Sequence, residues 1–236
     1  LQQAAASELA QLLNYFTFET YSNVHPRELI GNQLAKHPER CPNVSLAVAR
    51  QNNLTNFIAF DILSEKTTQK RLSKYQKYLT VADMLLKMNN YDASYTVINA
   101  LIQTVVDRLE LQKNLQKDFQ ILDQKLKQLF KITGNWQQIR KEIAQLQSQQ
   151  YCVPILAVCF KDVFNVEENN EKFEEGRINF LRGYLVWRAV HQYLRFQAAK
   201  MPVFKIATGL YEELCGYNEV KESILYEMSF AIKPKE

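Results

Sequence analysis

Cys152-Val-Pro-Ile-Leu-Ala-Val-Cys-Phe-Lys-Asp-Val-Phe-Asn-Val-Glu-Glu-Asn-Asn170 is the stretch on which the reading of this chain turns. Pro154 suits the first turn of a helix, where its missing N–H is no loss. Ile155, Val158, Phe160, Val163, Phe164 and Val166 then make a short, very apolar helix, which ends in two carboxylates and a pair of asparagines. After a polar gap with one glycine, a second helix begins near Ile178, in Ile-Asn-Phe-Leu-Arg-Gly-Tyr-Leu-Val-Trp-Arg-Ala-Val. Two helices joined by a polar loop make a helical hairpin over about residues 152–200. An apolar end carrying an acid is an odd tip for a hairpin that only fills a core.

Around this hairpin the chain reads as helix after helix. Ser7-Glu-Leu-Ala-Gln-Leu-Leu-Asn-Tyr-Phe predicts a capped amphipathic helix, with a second capped turn near Thr17. Pro26 opens a short helix that Gly31 closes, and Asn32 to Pro42 is polar connector. From Asn43 a long helix carries Val44, Leu46, Leu54, Phe57, Ile58 and Ile62 at a period near 3.6. Thr67 caps another helix, which Asn89-Asn90-Tyr91-Asp92 breaks, and Asp92 can cap the helix after the break. Tyr95 to Leu109, nearly apolar throughout, is expected as the central buried helix. Leu111 to Ile132 comes next with lysines on its outer face, and Gly134 stops it. Asn135 to Gln149 is expected as an exposed, Gln-rich helix, and Phe204 to Leu214 and Glu219 to Phe230 as the last two. No segment shows sustained strand alternation. The expected fold class is all-α: one domain over residues 1–236, a compact bundle of roughly ten helices with the hairpin protruding.

Composition agrees. Hydrophobic residues make up 47% and charged residues 23%, as in an ordinary soluble globular protein. Only 6 Gly and 6 Pro leave little turn chemistry, which favours long helices over many short strands. No apolar run approaches the ~18 residues of a membrane span, and Leu-Gln-Gln-Ala-Ala-Ala-Ser-Glu lacks the marks of a signal peptide. A start at Leu1 rather than Met reads as a domain excised from something longer. The 4 cysteines form no Cys-x-x-Cys pair and the 3 histidines complete no metal-ligand spacing. Reduced thiols in a cytoplasmic protein, with neither metal nor cofactor, are therefore expected. A net charge of +4 is too small to argue for nucleic acid but favours an acidic protein partner.

Composition alone makes Phe164 a core residue and Glu167-Glu168 a solvated helix end. Trp136, set between Asn135 and Gln137, is more suggestive, because an aromatic among polar neighbours often anchors an interface. The lysines at 113, 117, 125, 127 and 131 read as a solvated face.

The Cys-Val-Pro start, the run from Asp162 to Asn170 and Ile178-Asn179-Phe180 resemble the catalytic domain of Ras-type guanine-nucleotide exchange factors, the Cdc25-homology domain of the Son-of-sevenless type. The resemblance covers nearly the whole chain. Glu8-Leu-Ala-Gln-Leu-Leu and Pro26-Arg-Glu-Leu-Ile-Gly resemble the family's opening segment, and Asn53-Leu54-Thr55-Asn56-Phe57 its Asn-Leu-(Ser/Thr)-x-aromatic signature. Leu85 through Leu109 resembles its central pair of helices, and Asn135-Trp136-x-x-Ile139-Arg140 its Asn-(Phe/Tyr)-x-x-Tyr-Arg. Six such motifs in order and at spacing are specific where each alone is weak. Four positions depart: Asp92 where the family commonly has Asn, Ile102 where many members have Asn, Phe164 where a smaller aliphatic is usual, and Leu185 where some have Lys.

The resemblance implies an exchange factor for a small GTPase of the Ras, Rap or Ral kind, reaching membranes only through the lipidated GTPase and inserting in none itself. No P-loop motif is present, so the chain is not the GTPase. The hairpin would be the wedge. Phe164 would place an apolar ring where Mg²⁺ is held, and Glu168 would repel phosphate and engage the donors that the phosphates vacate. Lys161, Asp162, Asn165 and Asn170 would contact the displaced switch segment. Ile155 and the faces around Asn99, Ile102, Asn135, Trp136 and Phe196 would dock the other switch. The alternative, motivated by Phe164 and Ile102, is a non-catalytic GTPase-binding or scaffold module of the same fold.

Overall fold

The computed structural model describes residues 3–203, 208–216 and 220–234. Its helices begin where the sequence supplies a partner for the free N–H groups of a first turn. In α1 (Ala6–Ser22) the Glu8 carboxylate takes the Ala5 N–H at 3.0 Å. The turn expected near Thr17 does not form: its hydroxyl donates to the Leu13 carbonyl at 2.8 Å, and α1 runs straight through. The connector expected after Gly31 contains a short α2 (Gln33–Lys36). Next, α3 (Pro42–Leu63) starts on a proline and is capped from a distance by Glu28, whose carboxylate accepts from Asn43 N at 2.9 Å and Val44 N at 3.0 Å. Burial pushes this carboxyl up, but bonds from Asn43, Val44 and His25 outweigh that and hold it below the usual range.

Thr67 caps α4 (Thr68–Lys87) as expected, accepting from Lys70 N at 3.3 Å. The cap of α5 (Tyr91–Ile102) is Asn90, not Asp92: Asn90 accepts from Ala93 N at 2.9 Å, and Asp92 lies inside the first turn. The expected helix to Leu109 is broken at Gln103, leaving a separate α6 (Thr104–Asp107). Likewise Leu111 to Ile132 divides into a 3₁₀ turn and α7 (Lys117–Leu129), and α8 (Gln137–Gln145) is shorter than Asn135 to Gln149. Asn135 and Trp136 precede it with φ of 50° and 51°, so neither is helical.

The hairpin is α9 (Leu156–Asn169) and α10 (Phe180–Leu194), joined by a two-residue antiparallel ladder pairing Phe173 with Ile178 and Glu174 with Arg177. Pro154 sits before α9 rather than in its first turn, and Asn179 caps α10 by accepting from Arg182 N at 2.9 Å. Among the described residues the chain closes with α11 (Thr208–Cys215) and α12 (Glu222–Ile232). The starts expected at Phe204 and Glu219 lie outside the described residues. The fold is all-α.

Helices α1, α3, α4 and α5 pack on one another as the centre, with α7 against α4 and α12 against α3. Tyr75, Tyr78, Leu79, Leu85, Ile98 and Leu101 are fully buried there. By contrast α9 and α10 pack chiefly against each other. Three cysteines are buried, and burial pushes the Cys152 and Cys159 thiols up to about 12. The sequence predicts buried thiols throughout, but Cys215 is exposed.

Candidate functional site

The root of the hairpin is stitched into the junction of α4 and α5. Val153 donates to the Asn89 carbonyl at 3.0 Å and accepts from Tyr91 N at 3.0 Å and Asp92 N at 3.2 Å. Asp92 then takes the Leu156 N–H at 2.9 Å, so a side chain of α5 caps α9. On the other leg, the Tyr21 hydroxyl donates to the Tyr193 carbonyl at 2.6 Å, tying α10 to α1.

Farther out, Arg140 of α8 donates to both oxygens of Asp162, at 2.6 and 2.7 Å, and to the Asn135 carbonyl at 2.9 Å. Near the tip the Glu167 carboxylate takes the Gly31 N–H with both oxygens at 3.1 Å and lies 3.4 Å from Arg182 of α10. Gly31 has φ +68°, a backbone state that suits glycine, and it presents this N–H to α9. Thus α9 is held at its start, middle and end by three different elements.

Because α9 is regular, its residues sort by face. Leu156, Cys159 and Val163 are buried. Ile155, Val158, Asp162 and Val166 border a groove of about 570 Å³ that separates the hairpin from Ile139 and Ile143 of α8. Asn165 also borders that groove, and Lys161, Phe164 and Glu168 share the remaining face. Phe164 is 52% exposed. Glu168, one turn on, is exposed and has no hydrogen bond or ion pair among the described residues. Asn170 closes the helix, its amide donating to the Val166 carbonyl at 2.8 Å.

A continuous strip connects this face to α5. The Lys161 ammonium lies 5.3 Å from the Trp136 ring centroid, and that ring meets Tyr95 edge-on at 6.2 Å. Asn99 and Ile102 lie one and two turns beyond Tyr95; Asn99 is half-buried and Ile102 is 46% exposed. Asn135 is exposed at the edge.

Four expectations need correction. Trp136, read as an exposed anchor, is only 4% exposed and packs into the core beneath the strip. Phe196 is fully buried under the Arg195 guanidinium, 4.3 Å from its ring centroid. Ile155 is buried at the root, where the carboxylate of Asp92 draws the chain inward. Asp162 has both oxygens committed to Arg140. Sequence reading also missed Arg140, Glu167, Arg182 and Gly31 as partners of the hairpin. For Glu167 the signal was its place beside the buried ridge rather than on the face of Phe164. Nor was the outer face of α10 singled out, where Phe180, Leu181, Tyr184 and Trp187 are all exposed.

Comparison with known proteins bears on this geometry. The RasGEF domain family matches residues 8–182. Similar relatives include Ras guanine nucleotide exchange factors I and J of Dictyostelium discoideum, each 28% identical over 236 residues, covering 97% of this chain and 28% of the relative. Ras-specific guanine nucleotide-releasing factor 1 of Mus musculus is 25% identical over 237 residues, covering 98% of this chain and 18% of that protein. The chain thus spans less than a third of the length of these relatives. With the matched residues running from α1 into α10 and including all of α9, the chain belongs to the RasGEF domain family.

Proposed function

We propose that this chain is a guanine-nucleotide exchange factor for a small GTPase of the Ras family, with α9 as its wedge. The observation that carries this is the pairing of Phe164 and Glu168. A half-exposed ring and a carboxylate with no partner among the described residues stand one turn apart on a helix braced at three points. Leaving a large apolar ring and an unpaired acid free on so firmly held a helix adds nothing to folding, whereas a partner could use both.

The chemistry needs no covalent step. A small GTPase holds its nucleotide through phosphate contacts and Mg²⁺. A factor that binds the nucleotide-free form better weakens nucleotide by the same factor, each tenfold taking about 1.4 kcal/mol of differential contact. Phe164 would deny the cation its oxygen ligands, and Glu168 would compete for the phosphate-binding N–H groups. Asn165 and Lys161 flank them, and Asn99, Ile102 and Asn135 extend the contact along the strip. Asp162 and Trp136 support this surface from beneath. The partner would be a Ras-, Rap- or Ral-like GTPase whose lipid anchor brings the chain to membranes. No helix among the described residues is long and apolar enough to cross one.

Gel filtration tests the linkage directly. The chain should co-elute with a chelator-stripped Ras-family GTPase and separate from it when GDP and Mg²⁺ are restored. Co-elution that nucleotide leaves unchanged would favour a non-catalytic binding module instead.

A further inference from the structure

We propose that Asp92 is a positioning residue for the wedge: by taking the Leu156 N–H at the first turn of α9, its carboxylate sets the direction of the helix that carries Phe164 and Glu168. This rests on the exchange reading above.

Asp92 belongs to α5 and is buried where five helices meet. One oxygen accepts from Leu156 N at 2.9 Å and the other from the Gln51 amide of α3 at 2.6 Å. Among the described residues no basic side chain pairs with it. Arg50, which lines the same cavity of about 30 Å³ with Tyr21 and Tyr193, is engaged by Glu19 at 3.0 Å. A buried carboxylate without a cation is a costly core residue, and an apolar side chain would fill the site at less expense. What the carboxylate adds is a fixed acceptor aimed at the N-terminus of α9, where a negative group is favoured and free donors need one. Gln51 holds that acceptor in orientation.

The consequence is mechanical. At a rise of about 1.5 Å per residue, Phe164 lies roughly 12 Å and Glu168 roughly 18 Å from Leu156. A tilt of about 10° at the root would carry them some ~2 and ~3 Å, where a ~1 Å misplacement can already cost ~100-fold in rate. Arg140 on Asp162 and Gly31 on Glu167 oppose such a tilt farther along α9, but neither reaches its first turn, where Asp92 supplies the acceptor.

Two substitutions separate positioning from folding. Asp92→Asn keeps an acceptor for Leu156 and should hold kcat for GDP release within ~3-fold of wild type. Asp92→Leu fills the volume without the acceptor; it should lower kcat by ~10-fold or more with KM within ~2-fold, the pattern of a group lost from the transition state alone. Amide hydrogen exchange should quicken over residues 157–169 and stay slow in α3 to α5. Wild-type kcat and wild-type protection in Asp92→Leu would overturn the proposal. If Asp92→Leu does not melt cooperatively, Gln51→Met takes its place: it frees the carboxylate to rotate at a half-buried position, and wild-type values in both readouts overturn the proposal there. If the wild-type chain releases no GDP from any Ras-family GTPase, the exchange reading fails. Hydrogen exchange over 157–169 then decides alone, with loosening supporting the anchoring role of Asp92 and unchanged protection overturning it.

Discussion

Trp136 shows how far a single residue can depart from its sequence context. Its neighbours are polar, yet the ring is buried against Tyr95, under Lys161, with φ at 51° and its indole N–H lacking a partner among the described residues. A non-glycine residue in that region carries strain of about 1–3 kcal/mol, which packing must offset. Trp136→Ala is therefore expected to destabilise the chain by about 3–5 kcal/mol in a denaturant melt. A loss under about 1 kcal/mol would instead mark the ring as a surface anchor. Asp92 makes a second prediction. Burial, partly offset by the bonds from Leu156 and Gln51, holds its carboxyl up at about 6 against an ordinary 3.8. The folded chain thus binds this proton more tightly than the unfolded chain does, although the group is ionised at neutral pH. Stability from this group is complete below pH 3.8 and is lost as pH rises through about 6. A displacement of that size corresponds to about 3 kcal/mol at most. Asp92→Asn, which does not titrate, should gain on wild type by up to that amount between about pH 4 and pH 7.5. A stability difference that does not change with pH would refute the shift.

Elements were legible where periodicity sets them, and less so where distant residues end them. The apolar spacing of α1, α3, α4 and α9 and the Thr67 cap could be read directly. Gln103 carried no helix-breaking residue, so the division of α5 from α6 could not be. Nor could Asn90 be preferred to Asp92 as a cap, since either residue type serves; the choice is made by Leu156, which claims Asp92 from 64 positions away. The same holds for the site. The resemblance singles out Phe164 and Glu168, and helical spacing only puts them one turn apart, while the residues that hold their helix come from as far as 136 positions away. Glu167 is the clearest case, because it joins α9 to the Gly31 turn and to Arg182 of α10. Glu167→Ala should cost about 1–3 kcal/mol of stability, as expected for losing bonds to a charged group. It should also lower kcat for exchange more than it raises KM. Loss of stability with kcat intact would make this contact a folding device only.

At the scale of the whole molecule, the fold divides the labour. A packed centre of α1, α3, α4 and α5 fixes the root of a hairpin that Arg140 and the Gly31 turn brace farther out, and whose outer faces stay exposed. The net charge of +4 adds a mild attraction for an acidic partner, which rising ionic strength should screen without abolishing activity. The central claim is that the exposed face of α9 drives nucleotide release. The most direct test is the release of fluorescent GDP from a panel of Ras, Rap and Ral GTPases, monitored with excess GTP for the wild-type chain, Phe164→Ala and Glu168→Ala. The wild-type chain should accelerate release from at least one GTPase, and each variant should be slower by ~10-fold or more. Melting curves of both variants should stay within about 0.5 kcal/mol of wild type, as for surface substitutions. Full activity in both variants, or a collapse of stability in Phe164→Ala, would contradict the claim.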